Sequence, residues 1–167
     1  MIRNFKLLFY FLFNQKKYDR IFFLENYFIE DHLSPYIYKC LNKKKTLLLT
    51  TYNLRNNNLY NFDVIKIDNT FCLNFLFQFL QIKFCYSSTP ELGKNYFVKS
   101  AFKKTKYIFI QHSPMGLNGI YKDKAFDNFD VVQVIHKFQQ EDLIAINKLN
   151  KKKIKLWRSK YLFFKNN

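Results

Sequence analysis

Residues 106–136 read KYIFIQHSPMGLNGIYKDKAFDNFDVVQVIH, and this stretch decides the fold. Its first apolar run, residues 107–110, is rich in β-branched and aromatic side chains and is followed by turn residues, as expected for a strand covered on both faces. A glycine-bearing loop, a short helical turn and a second apolar strand complete the stretch. His112 and Ser113 therefore lie where a buried strand opens into a loop, and this is the edge at which open parallel sheets bind ligands.

The same alternation of strand and helix continues on both sides of this stretch. Strands are predicted at residues 20–24, 46–50, 63–67, 84–86 and 154–157, and helices at residues 30–41, 71–80 and 138–147, the second of these capped by Thr70. No repeat or linker interrupts the alternation, which predicts an α/β fold: a single Rossmann-like domain with a mostly parallel sheet flanked by helices. We place this domain at residues 19–157, with a C-terminal tail at residues 158–167.

The N-terminal residues 1–18 are predicted to form an amphipathic helix. The segment MIRNFKLLFYFLF is too short to span a bilayer, which needs roughly 20 apolar residues, and no small-residue cleavage site follows it. One helical face is predicted to carry Ile2, Phe5, Leu8, Phe9 and Leu12. Two interpretations remain open: a helix packed on the domain, or an interfacial helix in the inner leaflet with its cations at the headgroups. The second places the protein in the cytoplasm, peripherally associated with the inner face of the cell membrane.

The chain is strongly basic, with 28 Lys and Arg against 12 Asp and Glu and a formal net charge of +16. Such a surface attracts anionic lipid, nucleic acid or phosphorylated substrates. The cations are scattered, and no aromatic RNA-binding signature, helix-turn-helix pattern or Cys/His finger is visible, so nucleic acid is the least favoured partner. Cys40, Cys72 and Cys85 lack metal-ligand spacing and are predicted to be reduced, buried thiols. We expect neither a metal nor a tightly bound cofactor.

Polar residues end several of the predicted strands. If the sheet is parallel, these ends share one edge, which would bring together Glu25, Thr50-Thr51, Ser87-Ser88-Thr89, His112-Ser113 and His136. His112 is the best catalytic candidate because imidazole titrates near neutral pH and can accept a proton from an alcohol. His136 is expected to have a role at the edge of the core instead, and His32 to lie on a helix surface.

The central stretch also resembles a known family. The pattern consists of His-Ser, a Tyr eight positions after the serine, then Ala-Phe-Asp and a further Asp. This pattern is similar to that of the CDP-glycerol glycerophosphotransferases, which make teichoic-acid-like and capsular polymers. The matching positions are His112, Ser113, Tyr121, Ala125, Phe126, Asp127 and Asp130, and the segment Thr89-Pro90-Glu91-Leu92 resembles that family's Thr-Pro-acidic-Leu turn. The resemblance implies the N-terminal half of a GT-B fold, which consists of two Rossmann-like halves.

The resemblance also implies a role for each matching residue. His112 would activate an acceptor hydroxyl for attack on the β-phosphorus of CDP-glycerol, or a similar CDP-polyol, with release of CMP. Ser113, Thr89 and Tyr121 would bind substrate, and Asp127 and Asp130 would have a structural or orienting role. Glu25 is not a matching position, but its place at a predicted strand end makes it a candidate for binding acceptor hydroxyls. The acceptor would be a cell-envelope lipid or polymer.

The sequence departs from the family in two respects. Relatives often carry a serine and a second histidine where this chain has Gly116 and Asn118. No motif of the donor-binding C-terminal half is present either, nor a glycine-rich dinucleotide fingerprint or P-loop. Two hypotheses follow: an acceptor-side half that needs a separate C-terminal GT-B half, or a non-catalytic domain that binds glycerophosphate, membrane or a protein partner.

Overall fold

A seven-stranded parallel sheet forms the centre of the molecule. The computed structural model describes residues 2–25, 45–54, 63–95, 97–111, 121–122, 124–145 and 148–156. Within them the strands are β1 (Arg20–Leu24), β2 (Thr46–Thr50), β3 (Asp63–Lys66), β4 (Phe84–Ser87), β5 (Lys106–Ile110), β6 (Val131–Val134) and β7 (Ile154–Leu156). Their order is β3-β2-β1-β4-β5-β6-β7, and every neighbouring pair is parallel. The predicted α/β fold with a parallel sheet is therefore confirmed.

The central strands are buried on both faces, which explains their continuous apolar runs. One face, called here the helical face, carries an apolar cluster that joins Phe23 and Phe109 to buried residues of the described helices, which are α1 (Ile2–Asn14), α2 (Thr70–Gln78) and α3 (Lys137–Ala145). The opposite face holds a second apolar cluster that includes Phe22 and Ile110. Aromatic rings dominate the helical face: Phe23 packs edge-on to Phe77, with ring centroids 5.1 Å apart.

Helix α1 packs on the helical face, but the predicted apolar side was wrong in part. Leu8 and Phe11 are fully buried, whereas Ile2 and Phe9 are 75% and 53% exposed. The helix is apolar around most of its circumference, so the pattern alone did not fix which side turns inward. The buried residue Gln15 fixes the inward side of the helix, because its side chain donates to the Phe79 carbonyl (3.3 Å) and accepts from the Gln81 amide (2.8 Å). No helix among the described residues is both long and apolar enough to cross a bilayer.

Helix α2 begins one residue before the position expected. Asn69 caps it, accepting from the Cys72 amide at 3.0 Å, and Thr70 is its first helical residue instead of its cap. Cys72 and Cys85 are free and buried, as predicted, and burial raises the pKa of both thiols. The predicted helix at residues 30–41, with His32 and Cys40, lies outside the described residues.

Candidate functional site

The carboxyl ends of β1, β4 and β5 lie side by side and form a polar rim. Phe23, Ser87 and Phe109 are register partners across these strands. The residues two positions further along are Glu25, Thr89 and Gln111, so the register places these three in one row where the strands end. Parallel pairing thus brings together polar residues that are up to 86 positions apart in sequence, an arrangement that suits ligand binding at the carboxyl edge.

Glu25 and Thr89 form the centre of the described rim. The Thr89 hydroxyl donates to Glu25 Oε2 at 2.8 Å, and the Thr89 amide donates to the Ser87 hydroxyl at 2.9 Å. The Thr51 hydroxyl donates to the Glu25 main-chain carbonyl and joins the end of β2 to the pair. Both Glu25 and Thr89 are half-buried, so their polar atoms are held in place and still reach solvent.

A pocket of about 250 Å³ opens beside this pair. It is lined by Glu25, Thr89, Pro90, Glu91, Lys94, Asn95 and Phe97. The Lys94 ammonium lies 3.4 Å from Glu91 Oε1, and the Lys122 ammonium lies 3.9 Å from the same oxygen. The pocket therefore offers carboxylate acceptors and an ammonium donor above the buried ring of Phe97. Such a lining can bind hydroxyl groups and a phosphate in one small molecule.

The loop that carries Lys94 and Asn95 is braced by the Ala-Phe-Asp turn. The Glu91 amide donates to the Ala125 carbonyl at 2.9 Å, and the Asn128 side chain donates to the Leu92 carbonyl at 2.6 Å. Gly93 has φ +100° and lies so close that a Cβ atom there would be 2.8 Å from Asn128 Nδ2. The turn therefore shapes the pocket from behind, by packing and main-chain hydrogen bonds.

Tyr121 supports the end of β5. Its hydroxyl donates to Gln111 Oε1 at 3.1 Å, and its ring packs edge-on against Phe126, with centroids 5.0 Å apart. Burial raises the pKa of the Tyr121 phenol, and the hydrogen bond to Gln111 opposes this shift. The phenol is thus a neutral donor at physiological pH. Gln111 is buried, and its amide donates to the Gln133 carbonyl at 2.9 Å, so the residue immediately before His112 is firmly held.

His112 and Ser113 lie outside the described residues, as does the rest of residues 112–120. The structure therefore fixes the point at which their loop leaves β5 and gives no side-chain geometry for them. His136 follows β6 on the same edge of the sheet; its ring stacks on Phe138 with centroids 5.3 Å apart, and its amide donates to Gln139 Oε1 at 3.2 Å.

Asp130 lies away from the rim, and Asp127 lies on the turn behind the pocket loop. Asp130 Oδ2 accepts from the Tyr107 amide at 2.8 Å, and the Asp130 amide donates to the Tyr107 carbonyl at 2.9 Å. These contacts place Asp130 beside Tyr107 at the amino end of β5, so roughly 13 Å of strand separates it from Gln111 at the carboxyl edge. Asp127 is exposed on the turn, and its carbonyl accepts from Lys153. The contacts of Asp127 and Asp130, the two aspartates of the family-like pattern, are therefore structural.

Sequence reasoning missed Lys94, Asn95 and Gln111. Gly93 was the available signal for the first two, because a glycine after the Thr89–Leu92 turn marks a tight bend that brings the following residues back toward the strand ends. Gln111 was visible as the last residue of the buried run, but its contact with Tyr121 depends on how the loop returns.

No protein-family model matches the sequence, and no curated protein matches it. Solved structures do match in fold. A glycosyltransferase from Rickettsia africae ESF-5 superimposes with a TM-score of 0.59 at 10% identity, covering 84% of this chain and 42% of that one. The wall teichoic acid polymerase TagF gives a TM-score of 0.55 at 10% identity, covering 92% and 47%. A TagF variant soaked with CDPG gives 0.53 at 10% identity, covering 93% and 48%.

This chain therefore spans less than half the length of each of these three structures. At 10% identity the likeness establishes the fold alone. The chain has a Rossmann-like α/β fold that matches about half of a GT-B-like glycosyltransferase.

Proposed function

We propose that this chain is the acceptor-side half of a glycerophosphotransferase. It would transfer glycerol phosphate, or a related polyol phosphate, from a CDP-activated donor to a cell-envelope lipid or polymer. The observation that carries the proposal is the hydrogen-bonded Glu25–Thr89 pair, set in a small pocket beside the end of β5, where His112 follows. The fold likeness to TagF, one structure of which was obtained after a soak with CDPG, supports the same activity.

The pocket suits an acceptor rather than a nucleotide. Its volume of about 250 Å³ lies below the roughly 300–1,000 Å³ of pockets that enclose drug-sized ligands. Glu25 is an acceptor for the hydroxyl groups of a polyol, with one oxygen already oriented by Thr89. Lys94 is the cation available to a phosphodiester, and Asn95 offers an amide beside it. A terminal glycerol phosphate unit fits this combination of size and chemistry.

In the proposed reaction His112 acts as general base. It takes the proton from the acceptor hydroxyl, and the resulting oxygen bonds to the β-phosphorus of the donor. The bond between that phosphorus and the bridging oxygen breaks, and CMP leaves with the bonding electrons. Ser113 and the neighbouring loop amides orient the phosphate. Tyr121 acts through Gln111 as a positioning residue for the start of this loop.

The donor site is proposed to lie in the other half of the GT-B fold. We expect CMP release from CDP-glycerol when a polypeptide carrying that half is supplied, and we expect His112→Ala to abolish it. Thr89→Val should raise the acceptor KM roughly 2- to 10-fold with a smaller change in kcat, because the lost hydrogen bond contributes about 0.5–1.5 kcal/mol. CMP release that survives His112→Ala would remove His112 from the mechanism.

A non-catalytic binding domain is the second candidate function. It is favoured by the lining of the pocket, where Glu25 offers an acceptor for hydroxyl groups and Lys94 offers a cation, the groups that binding alone requires. This candidate predicts that the chain binds glycerol phosphate at the Glu25–Thr89 pocket and releases no CMP under any combination with a donor-binding half. The enzyme requires both binding and release, so the CMP measurement separates the two.

A further inference from the structure

The outward side of α1 has an unusual composition for a water-exposed surface. Its large apolar side chains are exposed to high degrees: Ile2 75%, Phe9 53%, Tyr10 52% and Phe13 83%. The other exposed side chains of α1 and the following 3-10 turn are all cations, Arg3, Lys6, Lys16 and Lys17. Residues 2–18 contain no Asp or Glu. We call these eight residues the outer face of α1.

Three of the four exposed apolar side chains form one stripe, whereas Tyr10 lies between Lys6 and Arg3. At about 100° per residue, Ile2, Phe9 and Phe13 fall within roughly 40° of one another and form an apolar ridge. Lys6 and Arg3 lie to one side of this ridge, within roughly 80° of Phe13. On the other side is Phe71 of α2, which is 63% exposed and packs on Phe5 with ring centroids 6.3 Å apart. The apolar ridge therefore continues onto α2.

We propose that the outer face of α1, together with Phe71, docks on the surface of an anionic lipid bilayer. Aromatic and aliphatic side chains next to Lys and Arg, with no acid among them, are the composition of helices that lie in the interface plane. The apolar ridge enters the boundary between headgroups and acyl chains, and the long cationic side chains reach the lipid phosphates. The net charge of +16 attracts the same surface from a distance. The buried side of α1 remains packed on the sheet, so docking requires no unfolding.

This docking surface adjoins the candidate site. Near its start, α1 is tied to Asp68, just beyond the carboxyl end of β3, by the Asn4 side chain at 2.7 Å. Near its end it is tied to Gln81, ahead of the amino end of β4. The helix therefore runs from the side of the sheet where the strands end to the side where they begin. Phe71 and Asn95 line a second pocket of about 630 Å³, and Asn95 also lines the pocket of Glu25 and Thr89.

Vesicle co-sedimentation of the full chain tests the proposal. We expect the wild-type protein to bind vesicles that contain phosphatidylglycerol, to bind pure phosphatidylcholine vesicles much less, and to dissociate as NaCl rises from about 0.05 to about 0.5 M. Phe9→Gln/Phe13→Gln should lower the partition coefficient at least about tenfold, since two exposed rings lose their apolar contact with lipid. The matched control is Phe102→Gln/Phe138→Gln, which changes two rings that are 42% and 44% exposed elsewhere and should bind like wild type.

Three results would overturn the proposal. The first is a wild-type protein that ignores anionic vesicles at low salt. The second is a folded Phe9→Gln/Phe13→Gln variant, checked by circular dichroism, that partitions as strongly as the wild type. The third is a wild-type protein that forms a dimer without lipid and does not bind vesicles, together with a Phe9→Gln/Phe13→Gln variant that is monomeric. This result would assign the outer face of α1 to a second copy of the chain. None of these results bears on CMP release, so docking and the proposed transferase activity stand or fall separately.

Discussion

Gly93→Ala tests whether the pocket loop is built as the structure indicates. Gly93 has φ +100°, where a residue with a Cβ atom is strained by about 1–3 kcal/mol. The new Cβ would also lie 2.8 Å from Asn128 Nδ2, which donates to the Leu92 carbonyl. Displacing Asn128 would sacrifice that hydrogen bond, a further loss of about 0.5–1.5 kcal/mol. The substitution should therefore lower the free energy of unfolding by roughly 2–4 kcal/mol.

Urea denaturation followed by circular dichroism measures this loss, and an Asn128→Ala background divides it into two parts. In that background the close contact and its hydrogen bond are already gone, so Gly93→Ala should cost only the backbone strain of about 1–3 kcal/mol. A Gly93→Ala protein within about 0.5 kcal/mol of wild type would refute the bracing of this loop, because only a loop free to relax could absorb both effects.

Three further substitutions address other parts of the structure. Gln15→Leu should lower stability by about 1–3 kcal/mol in urea denaturation, because it leaves two main-chain groups of the α2–β4 connection without their partner; an unchanged midpoint would mean that water replaces the amide. Tyr107→Phe should have a similar effect, since the Tyr107 hydroxyl accepts from the buried Ser100 amide at 2.8 Å. Burial raises the pKa of Tyr107, so the contribution of this phenol to stability is complete below about pH 10. The contribution is lost as the pH rises above that value, because the phenol of the unfolded chain then ionises. Between about pH 8 and pH 11 the free energy of unfolding should therefore fall less steeply for Tyr107→Phe than for the wild type. Asp130→Ala should lower stability by about 1 kcal/mol through the Tyr107 amide and leave CMP release unchanged, and a selective loss of activity would contradict its placement at the amino end of β5.

The strands were predictable because the sheet is buried on both sides. An all-parallel sheet forces strand residues to be apolar on both faces, and runs such as residues 107–110 satisfy that requirement locally. Each predicted strand is present within one residue at either end. The order of the strands in the sheet was not predictable in the same way. It depends on which side of the sheet each successive strand joins, and the apolar runs do not encode that side.

The parts that sequence reasoning missed depend on distant contacts. The inward side of α1 is set by Gln15, whose partners are more than 60 residues away. The pocket residues Lys94 and Asn95 are placed by a loop that Ala125 and Asn128 hold from behind. Neither set of contacts produces a periodic pattern in the sequence, so neither could be predicted from it. The polar rim itself was foreseen, because parallel pairing alone requires that the carboxyl ends of the strands share one edge.

The most direct test of the account is a ¹H–¹⁵N NMR titration of the chain with glycerol phosphate. The central claim is that the pocket beside Glu25 and Thr89 binds the polyol phosphate end of an acceptor. We predict saturable shifts of the Thr89, Lys94 and Asn95 amides that disappear in Glu25→Gln/Lys94→Gln, while the amides of α3 stay unchanged. Absence of shifts at high ligand concentration, or shifts centred on a different part of the sheet, would contradict the claim.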